Sequence, residues 1–258
     1  MNASEVSADI ATVLAARLRK AASRSSVPGS LPVLFFGDLP SALVATVGLN
    51  PSKQEYLDQS GAQLQGSNRR FETLDSLDAT SRETLSDHQI DRAISTMRSY
   101  FQPGMPIYSW FSHLDRVLTP LGASYGAGSA AHLDLVQEAT NPTWSQLVKE
   151  QPVEARALLQ SDLPFLQWEI ESFPLTLLIC NGATAFDNVV RLLNGRVIET
   201  GKLKRVTWRL AEAFVGPRRL KVAGWNIPLV RPTGLGLNGE VQLGELIGQA
   251  AKSAGSRS

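Results

Sequence analysis

The sequence predicts an α/β fold with a central, mainly parallel sheet of four strands. Four short apolar runs rich in small and β-branched residues alternate with segments of helical periodicity, and turn-forming Gly, Asn or Pro residues follow the runs. Strands that alternate with helices form a parallel or mixed sheet whose connecting loops gather at one edge. The predicted strands are a run from Val44 to the Gly48-Leu49-Asn50-Pro51 turn, Ala130–Val136, Leu175–Cys180 and a segment between Leu220 and Val230.

Helices and loops connect these strands. Glu5–Lys20 carries apolar residues at helical spacing, and Glu5 and Asp9 interrupt them, so an amphipathic helix is expected here in preference to a signal peptide. Ser86 is the predicted N-cap of a helix that extends to Phe101. The other predicted elements are an edge segment at Leu31–Pro40, a long loop or short helix at 58–82, and helices within 144–172 and at Phe186–Leu193.

Length and composition favour a single domain. With 258 residues, 43% hydrophobic and 19% charged, the chain can bury a sizeable core. We expect an N-terminal helix and linker at 1–30, one α/β domain at 31–250 and a flexible tail at 251–258. No apolar run approaches the roughly 20 residues that cross a bilayer. A soluble, cytoplasmic monomer without a membrane partner is therefore expected.

The Cys and His content bears on disulfides and metals. The single cysteine, Cys180, lies inside an apolar run, which predicts a buried thiol in a reducing compartment and excludes a disulfide within the chain. His88, His113 and His132 lack the spacing of metal ligands. We therefore expect neither a metal nor another cofactor.

The net charge of +1 is unevenly distributed along the chain. Residues 191–231 contain ten Lys or Arg residues and two Glu residues. Such a local excess predicts a surface that follows the phosphates of a nucleic acid. A solvated, charged hairpin is the alternative.

The end of the first strand offers the strongest candidate for a catalytic position. This strand stops at Gly48-Leu49-Asn50-Pro51-Ser52. Ligands of open α/β sheets bind outside the carboxyl ends of the strands, so Asn50 is a candidate catalytic residue. A turn in which Asn50 only caps the next helix is the alternative.

Three strand ends together form a pattern, namely Gly48–Ser52, Leu133–Thr140 and Ile179–Gly182. The pattern resembles the uracil-DNA glycosylase superfamily, most closely its thymine-DNA and mismatch-specific uracil-DNA glycosylase branch. In that branch a Gly-Ile-Asn-Pro-Gly turn carries the Asn that positions water, a Thr-Asn-Leu-Val-type strand reaches the base, and an Asn-Gly follows the next strand. The resemblance spans residues 42–236, and the order of these short motifs carries it.

The resemblance implies a three-layer α/β/α fold and hydrolysis of an N-glycosidic bond in double-stranded DNA, after the target nucleotide has flipped out of the helix. Asn50 would hold the attacking water through its amide, which can both donate and accept hydrogen bonds. The motif has no suitably placed lysine. The resemblance therefore implies a monofunctional glycosylase that leaves an abasic site.

Asp134 departs from the resemblance, because uracil-reading relatives place an Asn at this position. An ionised carboxylate only accepts hydrogen bonds, so it repels O4 of uracil and accepts from the 4-amino group of cytosine. A cytosine-type base is therefore predicted, and a demand for a bulky 5-substituent would protect the host genome. Glucosylated hydroxymethylcytosine of phage DNA meets this demand and suggests bacterial phage defence. The alternative is that Asp134 contacts a backbone amide or supports the sheet.

The fourth motif departs from the resemblance as well. Many relatives have His-Pro-Ser where this chain has Arg231-Pro232-Thr233-Gly234. Arg231 would stabilise negative charge on the departing base or grip a phosphate, and Thr233 is a candidate DNA contact. Leu235 would insert into the base stack or pack in the core.

Further candidates surround these motifs. Tyr56 lies about one helical turn after the first strand-end motif and is the candidate for stacking on the base, with core packing as the alternative. His132 shares a strand face with Asp134 and would contact the base or a phosphate, with a structural role as the alternative. Ser52 and Lys53 begin the next helix, where free backbone amides attract phosphate.

Three functional hypotheses follow from the sequence. The first is a DNA glycosylase for a modified cytosine, acting through Asn50 and Asp134. The second is a repair glycosylase for uracil or mismatched thymine. The third is a non-catalytic DNA-binding protein of the same fold. A nucleotide-binding enzyme is disfavoured because the chain has no glycine-rich phosphate loop and no dinucleotide fingerprint.

Overall fold

The computed structural model describes residues 3–105, 108–229 and 234–255, and a six-stranded sheet forms its centre. The strand order is β2-β1-β3-β6-β5-β4, in which the first four strands are parallel and β5 and β4 continue the sheet antiparallel. This α/β arrangement fits the three-layer α/β/α class. The strands are β1 Val44–Gly48, β2 Ala130–Asp134, β3 Leu177–Cys180, β4 Arg196–Leu203, β5 Val206–Val215 and β6 Arg218–Trp225.

The prediction of four strands is wrong in number. All four predicted strands are present, as β1, β2, β3 and β6, and the β4–β5 hairpin extends the sheet beyond them. Every residue of β4 is at least partly exposed, so this strand has no apolar run by which to recognise it. Part of the basic segment thus forms a hairpin, and its contact with phosphates stays a prediction.

The helices of the described residues include two that the sequence did not predict, α3 and α7. The helix α3 is only eight residues long, and α7 contains glycines, each of which costs about 1 kcal/mol in a helix. Gly244 is explained by packing, since a Cβ there would overlap the backbone oxygen of Val117 in α3. The helices are α1 Ala3–Leu18, α2 Asp87–Arg98, α3 Phe111–Leu118, α4 Trp144–Glu150, α5 Pro152–Ser172, α6 Ala183–Leu192 and α7 Gly236–Gly255.

Local sequence signals account for several of these elements. Ser86 caps α2 through a capping box in which its hydroxyl accepts from the backbone of Gln89 and the Gln89 side chain accepts from the Ser86 backbone, as predicted. Residues 58–82 form a long loop with short 3₁₀ turns. In the predicted edge segment, Phe36 exchanges two backbone hydrogen bonds of 2.9 Å with His132 of β2.

The helix α1 belongs to the main core. Its Leu14 and Leu18 side chains are buried among core residues, and Arg17 forms an ion pair of 2.5 Å with the fully buried Asp162 of α5. Among the helices of the described ranges, none has the length and apolar character that a membrane span requires.

The central strand β1 brings three strand ends together. It lies between β2 and β3, with Gly48 opposite Asp134 and Val47 opposite Cys180. Cys180 is fully buried, as predicted. Because these strands are parallel and in register, the segments that follow them meet at one edge of the sheet.

Candidate active site

A cavity of about 390 Å³ lies at the carboxyl ends of β1, β2 and β3. Its volume falls within the range of about 300 to 1,000 Å³ that is usual for small-molecule sites. Aromatic side chains form much of its wall and a few polar groups converge on it. Its aromatic residues are Phe36, Tyr108, Trp110, Phe111 and Trp144, and its polar residues include Asn50, Glu55, His132, Asp134, Thr140 and Asn181.

Asn50 is held rigidly at the end of β1. Its amide nitrogen donates to the carbonyl oxygens of Pro51 and Glu138, each at 3.1 Å, and to the hydroxyl of Thr140 at 3.2 Å. Its Oδ1 has no hydrogen-bond partner among the described residues. The alternative role as a helix cap does not hold, because Ser52 is the N-cap of the following 3₁₀ helix.

A buried ion pair supports the segment to which Asn50 binds. The guanidinium of Arg82 donates to both carboxylate oxygens of Glu138, at 2.6 and 2.9 Å, and Ser26 donates to the same carboxylate at 2.7 Å. Both members of the ion pair are at most 4% exposed. The Glu138 carbonyl, which accepts from Asn50, is therefore fixed by contacts outside the cavity.

Asp134 ends β2 on the cavity wall. Its side chain is 2% exposed, and Oδ2 is buried with no hydrogen-bond partner in the part of the chain that the structure describes. Gly48 is required opposite it, because a Cβ at position 48 would overlap Asp134 Oδ1. Burial raises the pKa of the Asp134 carboxyl, and the neighbouring His132 partly offsets this effect. The predicted alternative of a backbone amide partner is absent among the described contacts.

His132 connects Asp134 to the interior. Its Nε2 lies 3.4 Å from Asp134 Oδ1, and its Nδ1 lies 2.7 Å from the Thr46 hydroxyl, which in turn contacts the Tyr125 hydroxyl at 2.5 Å. The imidazole also packs edge-on against Phe111 at 5.1 Å between ring centroids. His132 thus lines the cavity and is anchored from behind, which fits the structural alternative, while its contact with a base or a phosphate stays a prediction.

Glu55 is a site residue that the sequence did not reveal. It lies in the 3₁₀ helix Lys53–Glu55, is 2% exposed and lines the cavity. The Tyr100 hydroxyl donates to it at 2.8 Å, and Arg70 lies 4.0 Å away. Burial raises its pKa to about 7. The sequence carries no signal for this residue, because a lone Glu after a turn is ordinarily solvated.

Tyr56 is not in the cavity, and its predicted stacking role is wrong. It is 1% exposed, its hydroxyl donates to the Leu31 carbonyl at 2.7 Å, and its ring packs against Phe71. The short 3₁₀ turn directs Glu55 to the cavity and Tyr56 to the core. Trp110 and Phe111, by contrast, line the cavity.

The remaining predicted residues divide into three groups. Ser52 and Lys53 line the cavity, and Lys53 donates to the Asn141 side chain at 3.2 Å. Leu235 is 3% exposed and packs in the core, which is the alternative to insertion into DNA. Arg231 and Thr233 lie outside the described residues.

Asn181 follows β3 and ties two strand ends together. Its Oδ1 accepts from the Trp225 indole at 3.1 Å and from the backbone of Leu229 at 2.9 Å. It also lines the cavity. The third strand-end motif therefore holds the chain that leaves β6 against the cavity.

The basic segment at 191–231 is only partly available to a phosphate backbone. Five of its ten basic residues have internal partners. Arg209 pairs with Asp187, Arg219 and Lys221 pair with Glu212, and Arg218 and Lys204 donate to backbone carbonyls. The exposed basic side chains include Arg191, Arg196, Lys202 and Arg205.

Comparisons with known proteins give no family to which the chain can be assigned. No model of a known protein family matches the sequence. No curated protein matches it either.

Proposed function

We propose that this chain is a monofunctional DNA glycosylase that hydrolyses the N-glycosidic bond of a flipped-out, modified cytosine in double-stranded DNA and leaves an abasic site. The substrate that we favour is glucosylated hydroxymethylcytosine of phage DNA, which would make the protein an anti-phage defence enzyme. The observation that carries the proposal is the presence of Asn50 and the unpartnered, buried Asp134 on the walls of one aromatic cavity.

The aromatic wall supports binding of a flipped base. Stacking of a base on an aromatic side chain contributes about 1–3 kcal/mol and tolerates any base, because every base has a π face. Trp110, which is partly exposed, supplies such a surface beside polar groups that can read a base edge. This stacking offsets the few kcal/mol that flipping costs.

Asn50 supports the hydrolytic step. Three hydrogen bonds fix its amide nitrogen, and its Oδ1 has no partner among the described residues. A fixed amide oxygen in the cavity wall would accept from a water and keep it directed at C1′ of the flipped nucleotide. Preorganisation of this kind lowers the entropy cost of the attack.

Asp134 supports the choice of base. Burial of a carboxyl without a partner costs free energy, and a hydrogen-bond donor on a ligand would offset that cost. The 4-amino group of cytosine is such a donor, whereas O4 of uracil is an acceptor. An ordinary cytosine glycosylase would attack the host genome, so the substrate should carry a modification that ordinary cytosine lacks.

A repair glycosylase for uracil or mismatched thymine is the second candidate, and one observation favours it. Burial raises the pKa of Asp134, and a protonated carboxyl can donate to O4 of uracil. The neutral form of Asp134 would therefore accept either base. The cavity is compatible with both candidate functions, so only a comparison of substrates distinguishes them.

A base-release assay tests the proposed function. Purified protein is incubated with phage DNA that contains glucosylated hydroxymethylcytosine, with unmodified DNA and with uracil-containing DNA, and abasic sites are read by alkaline cleavage. Asn50→Ala is the inactive control. We expect release from the glucosylated DNA alone. Release from uracil alone would establish the repair enzyme, and binding without any release would establish a non-catalytic DNA-binding protein.

A further inference from the structure

The two oxygens of Asp134 have different surroundings, and this difference bears on catalysis if the proposed function holds. Oδ1 lies 3.4 Å from Nε2 of His132, and the Thr46 hydroxyl holds the opposite nitrogen of that imidazole at 2.7 Å. Oδ2 is buried and has no hydrogen-bond partner among the described residues. Oδ1 thus has one contact within the protein and keeps a second lone pair, whereas Oδ2 has no partner, on a side chain that lines the cavity.

The protonation state of this carboxyl decides how well it hydrogen-bonds to the Watson–Crick edge of cytosine. The edge presents the 4-amino donor beside N3, which is an acceptor. An ionised carboxylate would satisfy the amino group and place a second negative oxygen against the N3 lone pair. A carboxyl that carries one proton satisfies both positions, because one oxygen accepts from the amino group and the other donates to N3.

Burial of Asp134 makes its carboxyl easier to protonate than an exposed one. The carboxyl is 2% exposed, and burial raises its pKa. The titratable groups that interact with it are His132 on its own strand, Glu55 in the cavity wall, Glu169 on α5 and Tyr125 behind His132. An ionised Asp134 in turn raises the pKa of Glu55 and of Glu169, because like charges disfavour each other.

We propose that Asp134 is the general acid of the reaction and that it protonates N3 of the departing cytosine. The C1′–N1 bond breaks and its electron pair leaves with the base, while the carboxyl proton moves to N3. The base therefore departs as a neutral tautomer and not as an anion. The water held by Asn50 forms the new bond to C1′ and releases its proton to solvent, from which Asp134 regains one. The net reaction consumes one water.

This role separates cytosine from uracil at the chemical step. Uracil already carries a hydrogen on N3, so it has no lone pair there to receive the proton. A protonated Asp134 would bind uracil through O4 and N3–H without assisting its departure. Selectivity between the bases would then appear in the rate of release more than in affinity.

Asp134→Asn tests this role because the amide keeps the hydrogen-bond pattern and loses the transferable proton. Its oxygen accepts from the amino group and its nitrogen donates to N3. Two quantities are measured on a duplex with one glucosylated hydroxymethylcytosine: the single-turnover rate of base release, and the Kd for the same duplex with a 2′-fluoro sugar that resists cleavage. Asp91→Asn on the exposed face of α2 is the matched control.

We expect Asp134→Asn to lose about 10²- to 10⁴-fold in the rate of release, which is the range of general acid catalysis, with a Kd within about tenfold of wild type. The wild-type rate should fall as pH rises through the pKa of Asp134, because the acid must be protonated, and the variant should lose this dependence. Asp91→Asn should match wild type in both quantities.

The outcomes separate the two proposals. Release by Asp134→Asn at a rate within threefold of wild type, or an unchanged pH profile in the variant, would overturn the general-acid role and leave the proposed function standing. A loss of binding as large as the loss of rate would show that Asp134 only reads the base. No release by the wild-type protein from any of the DNAs would overturn the proposed function and the general-acid role together.

Discussion

Asp134 in the cavity wall and Glu169 on helix α5 are both buried carboxyl groups, but their surroundings differ. Both are at most 2% exposed, both have carboxylate oxygens without a hydrogen-bond partner in the described ranges, and burial raises the pKa of both. Asp134 lines the 390 Å³ cavity, and Glu169 does not. An unpartnered buried carboxyl therefore points to function only where a ligand can reach it, and elsewhere it costs stability.

Among the cavity residues, Asn50→Ala should have the largest effect on the rate of base release. Loss of the fixed amide should lower the rate of base release by about 10²- to 10³-fold, the usual cost of removing one preorganised hydrogen-bonding group. The free energy of unfolding should fall by about 1–2 kcal/mol, because the hydrogen bonds to Glu138 and Thr140 are lost. Single-turnover release assays measure the rate.

The exposed Asn68 provides the control for this prediction. Asn68→Ala makes the same chemical change outside the cavity and should keep the wild-type rate. Full activity of Asn50→Ala would contradict the assignment of Asn50 as the residue that positions water.

Gly48→Ala should damage the cavity through Asp134. The new Cβ would overlap Asp134 Oδ1 and come within 3.1 Å of the His132 ring, so both side chains must shift. We expect a 10- to 100-fold lower release rate, because small displacements of catalytic side chains slow a reaction strongly. The free energy of unfolding should fall by about 1–3 kcal/mol because of overpacking. Release assays and urea unfolding measure the two effects.

Gly126 is the matched control for this glycine. A Cβ at position 126 has its nearest neighbour, the Ser124 hydroxyl, at 3.9 Å, and the backbone is not left-handed there. Gly126→Ala should therefore leave both activity and stability near those of wild type. Equal behaviour of the two variants would show that close approach of Gly48 to Asp134 is unimportant.

Glu55→Gln should change the pH dependence of stability. The folded-state pKa of Glu55 is about 7, against an ordinary value of 4.5. A carboxyl with a raised pKa contributes its full stability below pH 4.5, and this contribution is lost as pH rises through 7. The loss amounts to about 3 kcal/mol for one such group.

Urea unfolding between pH 4.5 and 8 measures this effect. The Gln variant should lose less stability with rising pH than wild type does, and Glu245→Gln on the exposed face of α7 should follow wild type. An identical slope in Glu55→Gln and wild type would refute the assignment of a raised pKa to Glu55.

Glu169→Met should raise stability without changing base release. Met keeps the length of the side chain and removes the unpartnered oxygens, so stability should rise by about 1–3 kcal/mol at pH 8. The gain should shrink toward pH 5, because the raised pKa of Glu169 costs the wild type stability only as pH rises above 4.5. Base release should stay at the wild-type rate.

Glu171→Met is the control for this variant, since Glu171 is exposed on the same helix. It should leave both stability and release unchanged. A fall in base release by Glu169→Met would mean that the interior carboxyl also serves the reaction, and the comparison with Asp134 would fail.

The sequence predicted the four parallel strands of the sheet and the strand-end residues, because apolar runs and turn residues are local signals. Asn50, His132 and Asp134 meet in one cavity since β1 and β2 are in register. The strand β4 escaped prediction because its side chains are partly exposed and half of its residues are polar. Glu55 was missed and Tyr56 was wrongly placed in the site because a 3₁₀ turn sets the directions of their side chains. Such directions depend on tertiary packing, which no local pattern records.

The most direct test of the central claim is a crystal structure of Asn50→Ala bound to a duplex that contains one glucosylated hydroxymethylcytosine. We expect a nucleotide flipped into the cavity, with its 4-amino nitrogen about 2.7–3.2 Å from a carboxylate oxygen of Asp134. A bound duplex whose bases all remain stacked, or a flipped base whose amino group faces away from Asp134, would contradict it.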